Sequence, residues 1–224
     1  MPRDTFQQSL DDLRADVRDL GDLVLDRLDD ALEALRTGDG ALARSVVDGD
    51  DDVNERYLAL EAECVDLLAL QQPVAGDLRF VVASFKVVTD LERVGDLAAN
   101  LAEYALAADD RGAFEVDVQG IGDAARDLLA DALDAYEAGD ADACHEIAAR
   151  DDEVDARCRT AGDRLVRDLV AHEAGSDAWT VEALLDDVSR LLLTIRDLER
   201  VADHAVNVAA RTLYAADSDP ELVY

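Results

Sequence analysis

The chain has 224 residues, half of them hydrophobic, with 53 acidic and 21 basic side chains and a net charge of −32. That length gives one large domain or two modest ones, with enough apolar content for a packed core. The charge argues against direct DNA or RNA binding and against attraction to anionic lipid, and the hydrophobic half of the composition argues against disorder.

Ala, Leu and Val supply the apolar content and aromatics are only 4%, which suits closely packed helices. Lys86 is the sole lysine. An acid-rich, lysine-poor surface fits a high-salt, halophilic cytoplasm, where screening tolerates self-repulsion. Most acidic runs then read as solvated faces. The longest apolar runs, such as Val81–Val82–Ala83, are far too short to cross a bilayer, and no secretory signal opens the chain. Cys64, Cys144 and Cys158 read as buried thiols of a reducing cytoplasm, with no C-x-x-C to hold zinc.

The first helix is marked by Leu13, Val17, Leu20, Val24, Leu28, Leu32 and Leu35, spaced by three and four. Gly38 ends it and Asp39 caps the next. A second helix runs through Val46, Val53, Leu60, Val65 and Leu68 and stops near Pro73. A third covers roughly 76–108, and residues 109–117 form a polar link containing Gly112. The pattern then repeats near 118–138, 140–173 and 179–214, with Gly175 and Ser176 in the last turn. Helices of thirty-odd residues reach about 50 Å. The expected fold is all-α: two tandem antiparallel three-helix bundles, residues 1–110 and 117–216, related by internal duplication.

The duplication is legible directly. Residues 31–54 align with 132–155 at an offset of 101, and DLERVGDLAANLAE at 90–103 aligns with DLERVADHAVNVAA at 197–210 at an offset of 107. In each copy of that motif Glu, Asp and Asn stand four apart: Glu92, Asp96, Asn100 and Glu199, Asp203, Asn207. Such spacing puts all three on one helix face. A solvated face is the plain alternative, but recurrence with the same flanking Leu and Val favours a site. All-oxygen donors suit Mg, Mn, Ca or iron. A metal needs ligands from a second helix, and the acidic clusters beginning at Asp50 and Asp151 sit at matching places. Asp51 with Glu55, and Asp151 with Asp155, repeat the spacing of four. No Glu-x-x-His pair supports a ferritin-like di-iron centre. His204 reads as a supporting or packing residue rather than a ligand. No phosphate loop, nucleophilic triad or plausible catalytic Cys stands out.

A second feature, QQPVAGDLRF at 71–80, exists in the first half only. Pro73 enforces a turn, and Asp77 and Arg79 are placed to cap or pair across it. With Gln71 and Gln72 they form a candidate partner-binding element.

From this turn onward the sequence resembles the PhoU family of phosphate-transport accessory proteins. QQPVAGDLRFVVASFKVVTDLERVGDLAANLAEY is similar to the family's first signature and RDLERVADHAVNVAARTLY to its second. The resemblance spans nearly the whole chain. It implies two three-helix bundles with pseudo-twofold symmetry, and multinuclear iron or zinc clusters on E(D)-x-x-x-D motifs, here Glu92/Asp96 and Glu199/Asp203. It implies negative regulation of phosphate uptake and of the starvation response, by contact with the transporter ATPase and a sensor histidine kinase. Gly76 and Leu97 depart from the family, which often has a basic residue and a His there. The expected protein is therefore a cytoplasmic, non-enzymatic regulator, a homodimer without membrane insertion. Two other readings stay open: a carboxylate-bridged metalloenzyme such as a phosphohydrolase, and a helical adaptor that binds no metal.

Overall fold

A computed structural model describes residues 3–108, 116–172 and 178–222. The chain folds into α1 (Arg3–Thr37), α2 (Gly40–Asp48), α3 (Asp50–Gln71), α4 (Ala75–Leu106), α5 (Val118–Ala138), α6 (Ala141–His172) and α7 (Ala178–Asp217). The described residues contain no strand. The link around Gly112 and the turn at Gly175–Ser176 lie outside the described residues.

The helix stops and starts recur between halves as the repeat demands. Gly38 and Gly139 both take positive φ, +70° and +65°, a left-handed conformation that closes a helix cheaply only without a Cβ. Asp39 then accepts from the backbone N–H groups of Ala41 and Leu42, and Asp140 accepts from Ala143.

One expectation fails here. The second helix of the first half is not continuous: it breaks at Gly49 into α2 and α3. Its partner α6 runs unbroken through the equivalent Arg150. The cause is Arg27. Its guanidinium donates to Val46 O at 3.3 Å and pairs with Asp52 at 3.1 Å, clasping the break from both sides. A Cβ at position 49 would lie 2.2 Å from Arg27 Nη1, so a side chain there would push the guanidinium out of the break. Val65, expected inside, is half exposed. Of the other markers of that helix, Val46, Val53 and Leu60 are buried and Leu68 is half-buried.

The turn at Pro73 also differs from expectation. Val74 occupies the N-cap of α4 and makes no side-chain cap, so Asp77 does not cap it. Asp77 sits instead in the first turn, where its charge complements the helix dipole.

Within each half three helical layers pack together, and equivalent helices meet across the halves: α4 against α7 and α1 against α5. One continuous apolar core results, drawn from both repeats. The α1–α5 contact is reciprocal. A Cβ on Gly21 would meet Leu133 Cδ2 at 2.5 Å, and a Cβ on Gly122 would meet Leu32 Cδ2 at 2.4 Å. These four residues form two copies of one knob-into-gap contact, displaced by the repeat offset. Replacing Gly122 with Val should therefore cost about 2 kcal/mol through overpacking. A melt should show the midpoint falling by roughly 4–8 °C.

Polar contacts add register. Arg14 of α1 donates to the carbonyls of Tyr136 and Glu137 at the end of α5, at 2.9 and 3.2 Å, and stacks over Phe80 of α4. Ser84 and Tyr136 hydroxyls meet at 2.7 Å inside the core. All three cysteines are buried and free, and burial pushes each thiol up, to about 12 for Cys64 and Cys158 and about 11 for Cys144. Among the described residues no helix is long and apolar enough to cross a membrane.

Candidate metal centre

The motif helices α4 and α7 lie side by side, and each turns its acidic stripe toward the neighbouring second helix of its own half. In the second half α7 presents Glu199 and Asp203, and α6 presents Asp151 and Asp155. The four carboxylates influence one another. Burial, then Asp155, Asp203, Asp152 and Glu199, push Asp151 up to about 6. Burial and Asp155 also raise Glu199 and Asp203, opposed by Arg159 at Glu199 and by His204 and Arg200 at Asp203. Asp151 Oδ1 is buried with no hydrogen-bond partner. A buried acceptor without a donor is costly, and repulsion from neighbouring acids adds to the cost.

The first half holds a weaker version. Burial, Asp96, Asp50 and Glu61 raise Glu92, opposed by Arg93. Burial and Asp50 raise Asp96, opposed by Arg200. Asn54 takes the place of Asp155, and its Nδ2 donates to Asp50 Oδ2 at 3.0 Å. Asp51 and Glu55, the pair singled out from spacing, are exposed, and Asp50 is the residue that acts on Glu92 and Asp96. The repeat offset of 101, subtracted from Asp151 and Asp155, gives Asp50, already among the candidates, and Asn54, which was not.

The Asn residues of the two stripes are half-buried. Asn207 donates to Asp90 Oδ1 at 3.3 Å, across to α4 rather than into its own cluster. His204 Nδ1 lies 2.9 Å from the same Asp90 oxygen, in a buried pair. Sequence reasoning passed over these first acids of the motif. Asp90 and Asp197 are 6% and 4% exposed. Asp197 accepts from Tyr104 at 2.9 Å and lies 3.6 Å from Arg200 Nη1. Both acids therefore fix α4 against α7 and set the spacing of the two stripes. Their recurrence at the head of both DLERV copies was the available signal.

Among the described residues no three carboxylate, imidazole or thiol groups close to metal-ligand distances. The donor chemistry nevertheless fits a cation. Both clusters are all-oxygen and mutually repelling, with Asp50, Glu92, Asp151, Asp155 and Glu199 half-buried and Asp96 and Asp203 exposed, and the second holds an orphaned carboxylate oxygen. The 71–80 turn lies apart from both clusters, at the tip of the α3–α4 hairpin. Gln72 there is exposed in a left-handed conformation, while Gln71, Asp77 and Arg79 are half-buried.

Comparison with known proteins agrees with this architecture. The family model described as PhoU domain matches twice, at residues 17–105 and 118–212. The chain is 34% identical over 212 residues to the phosphate-specific transport system accessory protein PhoU homolog of Pseudomonas putida, covering 93% of this chain and 79% of that protein. The crystal structure of PhoU from Pseudomonas aeruginosa superposes with a TM-score of 0.85 at 33% identity, over 96% of this chain and 100% of that one. The phosphate transport system regulatory protein PhoU from Streptococcus pneumoniae gives 0.86 at 28% identity, over 96% and 98%. Duplicated helices, duplicated motif and both matched stretches coincide, and the chain belongs to the PhoU family.

Proposed function

We propose that this protein is a non-catalytic negative regulator of phosphate uptake and starvation signalling, whose association with the phosphate transporter's ATPase subunit depends on metal at the two carboxylate clusters. The observation that carries the reading is the duplicated cluster itself: acids raised by burial and by one another, held on paired helices of a chain from a family named for phosphate transport. Asp151, Asp155, Glu199 and Asp203 would hold the second metal group. Glu92, Asp96 and Asp50, with Asn54 beside them, would hold the first. Iron or zinc is the expected metal by family resemblance, and Mn or Mg suits the donors equally. Bound metal would supply positive charge that offsets the repulsion. Asp90, Asp197 and Tyr104 keep the two stripes in register.

The ATPase contact is assigned to the α3–α4 tip. Leu70 and Val74 are 74% and 72% exposed there, the two most exposed large hydrophobic side chains among the described residues. A sensor histidine kinase is a further partner where one exists, and the soluble form is a cytoplasmic homodimer. The test is a pull-down of the ATPase subunit at native salt, with Mn2+ or with chelator. Wild type should recover it with metal and lose it with chelator, and Val74→Glu should lose it in both. Equal recovery in all arms would count against metal dependence and this contact, and no recovery by wild type would count against the partner.

A further inference from the structure

The duplication places one surface groove in each half, and the two have diverged in charge. In the first half Asp16 and Asp19 of α1 face Arg56, Ala59, Leu60 and Glu63 of α3 around a cavity of about 360 Å3. The repeat offset of 101 carries these positions to Asp117, Gly120, Arg157, Thr160, Ala161 and Arg164. All of those except Gly120 line a cavity of about 310 Å3 between α5 and α6, floored by Val116, Ile121 and Ala156. The same groove has thus been kept twice. Three acids and one Arg line the first, whereas one acid and two Arg line the second.

The second groove is organised. Arg157 Nη1 donates to Gly120 O at 3.3 Å, which holds its guanidinium over the α5 side. Asp117 is engaged as the N-cap of α5, accepting from Gly120 N–H at 3.0 Å. Arg164 lies 3.8 Å from Asp168 and stays well exposed. The contrast extends beyond the cavity. Residues 156–167 carry a net charge of +3, while the equivalent residues 55–66 carry −3. In a chain of net charge −32, this stretch of α6 is a local reversal of sign. Exposed Val166 lies within it and exposed Val170 just beyond it.

Arg157 and Arg164 stand seven residues apart, about 10.5 Å along α6. A small anion would meet one guanidinium and leave the other. A docked helix carries side chains at the same interval. We propose that the α5–α6 groove docks an acidic amphipathic helix of a partner protein, with one aliphatic side chain over Ile121 and Ala161 and two carboxylates, two turns apart, on Arg157 and Arg164. The first-half groove, acidic at Asp16, Asp19 and Glu63, rejects the same helix. This site faces α5, whereas the carboxylates of α6 face α7, so the proposal goes beyond the metal-dependent contact above and does not rest on it.

The probe is a fluorescein-labelled helical peptide with Glu at positions i and i+7 and Leu between them, titrated by anisotropy against the full chain in about 1 M KCl, where long-range repulsion is screened. One peptide should bind per chain. Arg164→Glu, which installs the charge found at the equivalent Glu63, should weaken binding roughly tenfold or more. A peptide with Lys in place of Glu should not bind. Circular dichroism of the variant should match wild type, since Arg164 is a surface residue. Equal affinity in both proteins, two peptides per chain, or no binding to wild type would overturn the proposal. So would a peptide-free dimer, seen by sedimentation and lost in Arg164→Glu, since the occupant would then be a second copy of this chain.

Discussion

Dilution from molar to 0.01 M KCl should lower the melting midpoint by roughly 10 °C or more, because each lost kcal/mol moves a domain of this size by about 2–4 °C. Fifty-three acids against 21 bases leave −32 to be confined in one fold. Screening extends over about 3 Å at 1 M salt and about 30 Å at 0.01 M, so at low salt acids across the whole molecule repel one another. Ion pairs offset little of this. Arg18–Asp22, Arg164–Asp168 and Arg167–Asp163 join residues of one helix at or near the surface, where a pair contributes a few tenths of a kcal/mol. The carboxylate clusters add a second sensitivity, since burial there weakens hydration of charges already in conflict. The effect should be reproduced by NaCl, and Mn2+ should act at far lower concentration. A midpoint flat across this range would show that the acid surface is not an adaptation to salt.

The second large effect is expected at Asp151. Its folded pKa of about 6 lies above the ordinary aspartate value. An acid shifted this way costs stability as pH rises: nothing below its unfolded pKa, and the full penalty above about 6. Allowing for solvent screening of a half-exposed group, the penalty is about 1 kcal/mol. Asp151→Asn should therefore raise the midpoint of the metal-free protein by about 3 °C at pH 7.5, with the gain vanishing toward pH 4. Mn2+ should stabilise wild type by about 2.7 kcal/mol for each site at a hundredfold excess over its Kd. The variant should keep only the first-half share. Stability gained without metal and lost with it separates a ligand from an ordinary surface acid. If the variant melts lower than wild type without metal, Asp151 is a structural acid.

Much of this was open to reading in the sequence. Leu13 to Leu32 recur at helical spacing, and all are buried along α1. Gly38, Gly139, Asp39 and Asp140 punctuate both halves alike, because chain reversal and capping are local chemistry. The break at Gly49 was passed over, because a lone Gly in a helical pattern does not announce a break and Arg27, which reaches into the gap, stands 22 positions earlier. Glu92, Asp96, Glu199 and Asp203 were singled out from their periodicity. Asp50 was among the candidates but Asn54 was not, and Asp51 and Glu55 were preferred as the spaced pair, because a spacing of four fits either pair and only the partner helix decides which faces inward. Asp90 and Asp197 escaped because a buried acid betrays itself through its partners, here His204, Asn207 and Tyr104, which lie 93 to 117 positions away.

The most direct measurement of the central claim is bound Mn2+ per chain, by elemental analysis after equilibrium dialysis, for wild type and for Asp96→Ala, Asp203→Ala and the double variant. Both clusters take metal on this account. Each single variant should lose the share of its own half, and the double variant should retain almost none while keeping wild-type helicity. Unchanged metal content in the double variant would contradict the claim.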